Sequence, residues 1–576
     1  MAREKRRWPA PPRFFARSHV ARDLMGDAAM RPVRPLIAVL IAVPLYASAC
    51  APPGGGSVSG ASDGFVVPEG KQDDFLSLSA KEFVFSGRAT VTLEDDYVGA
   101  DQETRTRRLR ELAGYQQIAI AWFLNQYLIH KEASDSNHDY GGFGAMSRAN
   151  TYEELDLQPV DDRTYSFYYE QLVAGTPDLM GKLPLTEGED GARELLFVMG
   201  NPSNEEMARL ETNSEWYRSA PWSPWNPDAV DEARKQELRM TVRPEVDSTD
   251  AWLDFAALLE DGVLDVDVHF GWDYHSEYHV KHARSLFGWL TGEGFEAPAP
   301  DFESLTRQSG AFVKTLSAGG REVRVEVRIF YGKSGSETDP DTDTGGRALE
   351  DDMRASLATR DVIVYSGHSG PFYGFALANW RMTSEGDLDD TEMRSVEMPA
   401  DRYQLVVAEG CDTYQIGEAF RNNPAKPGGR YVDVVTTTAP SNASSTATVE
   451  DILSRLLETN DAQEHDPKPL RALLRDLDRN SSWFHTMYGI HGIDDNPHLH
   501  PYAEIGNVCM PCASDAECGG PGNRCIDVGD SGKRCAPSCT TDAGCGGGYT
   551  CREVAASSTR AIYDSVCVPT DLGCGG

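Results

Sequence analysis

DVIVYSGHSG (361–370) and YQLVVAEGCDT (403–413) are the two stretches on which the reading of this chain turns. Each is a short apolar run that stops at a small-residue turn, the pattern of a strand buried on both faces of a parallel sheet. The first turn presents His368, and the second presents Cys411, 43 residues later. In open α/β sheets the chemistry collects outside the carboxyl ends of parallel strands. Two neighbouring strands of this kind would set an imidazole against a thiol.

Working outward, helices and strands alternate on both sides. STDAWLDFAALLED (248–261) opens on a capping residue and predicts a helix. VLDVDVHFG (263–271) predicts a strand, EYHVKHARSLFGWLTGEGF (277–295) a helix ending at Gly292 or Gly294, and REVRVEVRIFYG (321–332) a strand. GRALEDDMRASLATR (346–360), DTYQIGEAFRNN (412–423) and TVEDILSRLLETN (448–460) predict helices, and YVDVVTTTA (431–439) a strand. This alternation over 247–506 is that of a doubly wound, mainly parallel sheet. Residues 71–246 read instead as an α+β domain. Strands are expected within 71–97, 163–175, 194–202 and 234–246, with a long amphipathic helix over 105–133.

The first 70 residues concern export. PLIAVLIAVPLYASA (35–49) follows Arg31 and Arg34 and ends at Cys50. Too short and too Pro-interrupted to span a membrane, it reads as a secretory signal with Met30 as the working start. ASAC (47–50) resembles a bacterial lipobox, which implies that Cys50 is lipidated and that the membrane is met through that anchor alone. Residues 51–70 form a Gly/Ser/Pro tether. The formal charge is −36, and removing 1–49, with nine Lys/Arg and three Asp/Glu, lowers it to −42. So acidic a body argues against nucleic acid and anionic lipid surfaces as partners and would tolerate or attract basic peptides, the alternative being that the acidity only keeps an exported protein soluble.

Twelve cysteines divide into Cys50, Cys411 and ten between Cys509 and Cys574. The tail repeats itself, CASDAECGGPGNRC (512–525) against CTTDAGCGGGYTC (539–551). An even count in an exported segment predicts a disulfide-held module, with zinc on Cys509 and Cys512 as the alternative. The pairing is open. The tail is similar to EGF- or dickkopf-like modules. Cys411 is then left without a partner. A free thiol after Glu409 and Gly410, at the end of its run rather than inside it, is placed for chemistry more than for packing.

The His turn followed by the Cys turn, in βαβ framing, resembles the caspase-like clan of cysteine peptidases, which includes caspases, metacaspases, gingipains, clostripain and legumain. The whole body also resembles uncharacterised lipoproteins of myxobacterial type. The clan resemblance implies Cys411 as nucleophile and His368 as acid/base. Backbone N–H groups at Gly410, Ser369 and Gly370 would form the oxyanion hole, and Ser369 stands where the clan has Gly. It also implies a carboxylate two residues before the Cys, here Glu409 with Asp412 beside it, for a basic side chain of a peptide or protein substrate. The helix after Cys411 is expected to lower the thiol pKa. The expected activity is peptide hydrolysis without a required cofactor. The alternatives are an inactive adhesion or scaffold lipoprotein and a calcium- or zinc-dependent binding module.

Three further clusters stand out. Asp339, Asp341, Asp343 and Glu350 match positions 1, 3, 5 and 12 of an EF-hand loop, with Thr344 at the Gly position, and make a calcium candidate. His275, His279 and His282 lie near Asp273 as possible cleft or metal residues. His491, His498 and His500 occupy a turn-rich strip that either closes the α/β region or rims a cleft.

Overall fold

Strand periodicity sorts the apolar residues of the two opening stretches onto two opposite faces. In the histidine strand (Val362–Ser366), Val362 and Val364 join one core, while Ile363 and Tyr365 join another. In the cysteine strand (Gln404–Glu409), Leu405 and Val407 face the first core, and Val406 and Ala408 the second. Helices Tyr278–Gly292, Ala447–Leu456 and Leu470–Asn480 cover the first face through residues such as Leu286, Ile452 and Leu474. Helices Asp343–Thr359 and Tyr414–Arg421 cover the second through Leu349, Met353, Ile416 and Phe420. Each such side chain, fully buried, contributes about 1.5–3 kcal/mol of transfer free energy.

The computed structural model describes residues 75–134, 152–188, 191–212, 231–273, 277–370, 374–439, 441, 446–480, 487–528, 531–555, 562–570 and 574. All of these lie in one compact unit, Val67–Gly576. The expected signal segment, Cys50 and the expected tether fall outside the described residues, as does His275.

The large sheet has eight strands in the order Phe75–Ser77, Tyr488–His491, Val432–Thr437, Gln404–Glu409, Val362–Ser366, Val263–Phe270, Arg321–Tyr331, Phe312–Ala318. The run from Val432–Thr437 to Arg321–Tyr331 is parallel throughout. The outer strands are antiparallel. A second, antiparallel six-stranded sheet contains Thr164–Gly175, Lys81–Thr92, Lys235–Pro244 and Arg193–Gly200. The helix Gln102–Ser134 packs on it, bringing Leu112, Phe123 and Leu124 against Phe83, Phe167 and Phe197.

Two boundaries differ from expectation. Phe75–Ser77 pairs with Tyr488–His491 in the large sheet, so the start of the predicted α+β domain belongs to the α/β core. The helix predicted over 248–261 shrinks to Phe255–Leu258. Tertiary hydrogen bonds hold its first half extended instead. Trp252 N–H donates to Pro497 O at 2.9 Å, Leu470 N–H donates to Ala251 O at 2.8 Å, and Asp250 accepts from Arg471 N–H at 3.0 Å.

The tail carries five disulfides, Cys509–Cys574, Cys512–Cys525, Cys518–Cys535, Cys539–Cys551 and Cys545–Cys567. Within each repeat the first cysteine joins the third and the second joins the fourth, over hairpins Asn523–Asp527/Lys533–Pro537 and Tyr549–Ala555/Ile562–Pro569. The shared Asp-Ala motif has a structural cause. Asp515 accepts from the Cys525 amide and Asp542 from the Cys551 amide, each at 2.7 Å. The histidine strip docks this module. His498 Nδ1 lies 3.0 Å from both Asp250 O and Thr540 Oγ1, and His500 Nε2 meets Asp466, which also pairs with Arg524. Five disulfides fit a protein that folds outside the cytoplasm. No helix among the described residues is long and apolar enough to cross a membrane.

Candidate active site

Cys411, His368 and a residue the sequence reading does not single out for catalysis follow the carboxyl ends of three adjacent strands in the middle of the large sheet. In the parallel register Phe270 stands opposite Ser366, and Ser366 opposite Glu409. The strands continue as turns in step. Gly271 N–H donates to Ser366 O at 2.9 Å, and Gly367 N–H to Glu409 O at 3.1 Å. His368 and Cys411 therefore both sit two residues past paired positions, on adjacent strands. Asp273 sits three residues past Phe270, on the strand beyond.

His368 Nε2 lies 3.0 Å from Asp273 Oδ1. Asp273 is 5% exposed. Its other oxygen accepts from Tyr278 N–H at 3.3 Å, and its own N–H donates to His279 Nδ1 at 3.2 Å. One carboxylate oxygen and the backbone N–H of Asp273 are thus each held by a partner, beside the contact of the other oxygen with the imidazole. An aromatic wall adjoins the ring: Trp380 stands edge-on to His368 at 5.8 Å, and Trp272 edge-on to Trp380 at 5.0 Å.

Small residues permit the close approach of the two turns. A Cβ on Gly410 would lie 2.0 Å from Ser369 Oγ, and one on Gly367 would lie 2.7 Å from Gly271 Cα. Ser369 uses the proximity, since its hydroxyl donates to Cys411 O at 2.9 Å and ties the histidine turn to the cysteine turn. Gly370 pairs with Gly374 in a small antiparallel sheet. Behind the thiol, Thr437 Oγ1 donates to Gly410 O at 2.6 Å and Thr413 Oγ1 to Ala408 O at 2.7 Å, so buried threonines hold the loop from below.

Cys411 is a free, half-buried cysteine. Burial, and then the neighbouring Asp412 and Glu409 carboxylates, push its thiol pKa up to about 12, against hydrogen bonds from Ser441 that favour the thiolate. This reverses the expectation of a lowered pKa. The helix begins only at Tyr414, and an acidic residue lies between it and the sulfur. Asp412 takes a left-handed backbone, φ 53°, and burial raises its carboxyl to about 7. Glu409, 6% exposed, is likewise raised to about 7 by burial, although the Tyr488 hydroxyl donates to it at 2.7 Å. Glu409 lines a cleft with His368, Asp273, Ser441, Tyr278 and His282. Burial holds His279 and His282 near 4, and so neutral.

The acidic loop takes another course. The helix starts at Asp343, capped by Thr342 Oγ1 accepting from Gly345 N–H at 3.1 Å. Positions 5–12 of the expected calcium loop are therefore helical. Asp341 accepts from Asn379 at 2.6 Å, Asp343 from Thr383 at 2.9 Å, and Glu350 pairs with Arg354 at 2.8 Å. The four carboxylates are not gathered. Among the described residues, groups close enough to share an ion are formed only by tail cysteines, and these are joined in disulfides.

No known family profile, curated protein or solved structure matches this chain. Asp273, which the sequence reading sets beside the histidine cluster, pairs with His368 instead. Its signal was present in the sequence: a polar side chain just past the apolar run VLDVDVHF, at the same kind of strand end as His368 and Cys411.

Proposed function

We propose that this protein is an exported, lipid-anchored cysteine peptidase of caspase-like architecture, with Cys411 as nucleophile, His368 as general acid/base and Asp273 as the group that orients the imidazole. The observation that carries the reading is the meeting of a free thiol turn and an Asp-paired histidine turn at the carboxyl ends of consecutive parallel strands.

With Nε2 bonded to Asp273, the neutral ring carries its proton there and leaves Nδ1 as the base. A thiol raised to about 12 is protonated at rest. His368 must therefore take the S–H proton as sulfur attacks the peptide carbonyl. Asp273 stabilises the imidazolium so formed. The same proton then passes to the leaving amine, and water, deprotonated by the histidine, releases the acyl group. Backbone N–H groups at the Gly410–Cys411 and Ser369 turns supply the oxyanion contact. Glu409, facing the cleft, would recognise a basic side chain, whose charge would offset the cost of ionising that buried carboxylate. Lipidation of Cys50 would hold the body at the cell envelope.

A second reading, an inactive scaffold of the same fold, is favoured by the thiol's burial and raised pKa. Labelling with a thiol-directed acyloxymethyl ketone bearing Lys or Arg separates the two. The enzyme reading expects labelling of the wild type that is lost in Cys411→Ala and in His368→Ala. An unlabelled wild type, folded and with an intact thiol count, sinks it.

A further inference from the structure

Besides Thr437 of the large sheet, a residue of the six-stranded sheet reaches the thiol turn. Tyr414, the first residue of helix Tyr414–Arg421, follows Cys411 by three positions. Its hydroxyl donates to a carboxyl oxygen of Glu82, which stands on strand Lys81–Thr92 of the six-stranded sheet. Both ends of this bond are withdrawn from solvent, Tyr414 at 1% exposed and Glu82 at 8%. The backbone of Glu82 is itself fixed, paired with Ala174 on one side and accepting from Glu245 N–H at 2.9 Å on the other. Around the bond, Tyr414 closes a small core with Phe75, Ala80, Ala174 and Met487. Phe75 lies edge-on to Tyr414 at 5.4 Å and is seated on Gly489, where a Cβ would lie 2.2 Å from its ring.

The link continues into the turn. Gln415 donates to Asp412 O at 2.6 Å, and Thr413 Oγ1 donates to Ala408 O at 2.7 Å. A shift of Tyr414 is therefore passed to Asp412 and Thr413, the residues that join it to Cys411. Residues 75–82 touch the other flank as well. Ser77 Oγ donates to Tyr488 O at 2.6 Å, and the Tyr488 hydroxyl donates to Glu409, two residues before the cysteine, at 2.7 Å. Apolar contacts alone tolerate sliding, whereas a satisfied buried polar bond specifies one geometry. A nucleophile is sensitive to that geometry, since a misplacement of about 1 Å costs up to about 10²-fold in rate.

We propose that Glu82 is a positioning residue for Cys411, acting through Tyr414, so that the six-stranded sheet sets the geometry of the thiol turn. This role rests on the peptidase reading of that turn.

Rates of labelling the full chain with the lysyl acyloxymethyl ketone test it, read on the Cys411 peptide by mass spectrometry well below each variant's melting midpoint. Tyr414→Phe keeps the ring in the small core and removes only the hydroxyl. It and Glu82→Ala are each expected to slow labelling about tenfold. Glu82→Gln, which still accepts, is expected to recover the rate to within about twofold of wild type. The double variant Glu82→Ala/Tyr414→Phe is expected to be no slower than either single, because both cut one link. Lys81→Met, which breaks the exposed Lys81–Asp247 pair one residue away, is expected to leave the rate as it is. An unchanged rate in Tyr414→Phe, no recovery in Glu82→Gln, losses that multiply in the double variant, or an equal loss in Lys81→Met overturns the proposal, even where melting temperature falls. If the wild type takes no ketone, the peptidase reading fails by itself, and iodoacetamide on Cys411 decides the coupling. Alkylation several-fold faster in Tyr414→Phe and Glu82→Ala than in wild type and Glu82→Gln upholds it, and equal rates overturn it.

Discussion

Cys411 and the ten tail cysteines share one chain and differ in everything that surrounds them. In the tail, each sulfur is spent on a crosslink, and the two repeats reproduce the same pairing and the same Asp-to-amide hydrogen bond. A small module with few buried apolar residues depends on such links. Around the central strands of the large sheet the fold is held by apolar burial on two faces, and the cysteine there forms no crosslink. Its surroundings instead supply a histidine turn, an aspartate and buried carboxylates. The tail sulfurs are all crosslinked, and Cys411 alone among the described cysteines is free.

The sharpest test of that division removes one group from each side. Asp273→Asn keeps the size of the side chain but loses the charge that orients and stabilises His368. It is expected to lower the rate of probe labelling by up to about 10⁴-fold, the scale seen when the acid of a catalytic triad is neutralised. Thermal stability should scarcely move. Cys518→Ala with Cys535→Ala should do the reverse, costing the module about 2–5 kcal/mol and leaving labelling at Cys411 unchanged. Equal damage to labelling from both variants would break the separation. Differential scanning calorimetry beside labelling kinetics reads both.

Much of the sheet was legible because buried parallel strands leave uninterrupted apolar runs, as in VIVY before His368 and LVVA before Cys411. The order of those strands was not, since period-2 patterning says which face a residue meets and not which neighbour. That is why the sequence places Asp273 beside the histidines of 272–282 and not beside His368, which the strand order brings to it. The segment 248–254 misled for a related reason: its helical pattern is overridden by hydrogen bonds to residues more than 200 positions away. The tail was legible as a repeat, but its pairing needed three dimensions.

The carboxylates beside the thiol offer a finer distinction. Burial raises Glu409 from 4.5 to about 7 in the folded chain. The folded state therefore holds this proton more tightly than the unfolded one. Its contribution is present in full below about pH 4.5 and is lost as pH rises towards 7, by up to about 3 kcal/mol. Glu409→Gln cannot ionise and can still accept from Tyr488. Its stability relative to wild type should rise between pH 5 and pH 8, read as a widening gap in midpoint temperature. Removing that negative charge should also lower the thiol pKa and quicken alkylation of Cys411 by iodoacetamide at pH 8. A gap that stays constant with pH would mean that Glu409 is ionised in a wetter cleft than its 6% exposure implies.

The smallest effect concerns the tail, and it tests whether the two repeats are equivalent in energy as well as in pattern. Asp515→Ala and Asp542→Ala each delete one 2.7 Å hydrogen bond to a cysteine amide. A charged acceptor of this kind contributes about 1.5–3 kcal/mol when buried and less where solvent competes. Cys551 N–H lies in more exposed surroundings than Cys525 N–H, so Asp515→Ala should cost more, with a difference of about 1 kcal/mol or below. Hydrogen exchange at the two amides measures it directly. If Cys551 exchanges faster than Cys525 in the wild type and Asp542→Ala changes little, the first repeat is held by its aspartate and its disulfides together, and the second by its disulfides nearly alone.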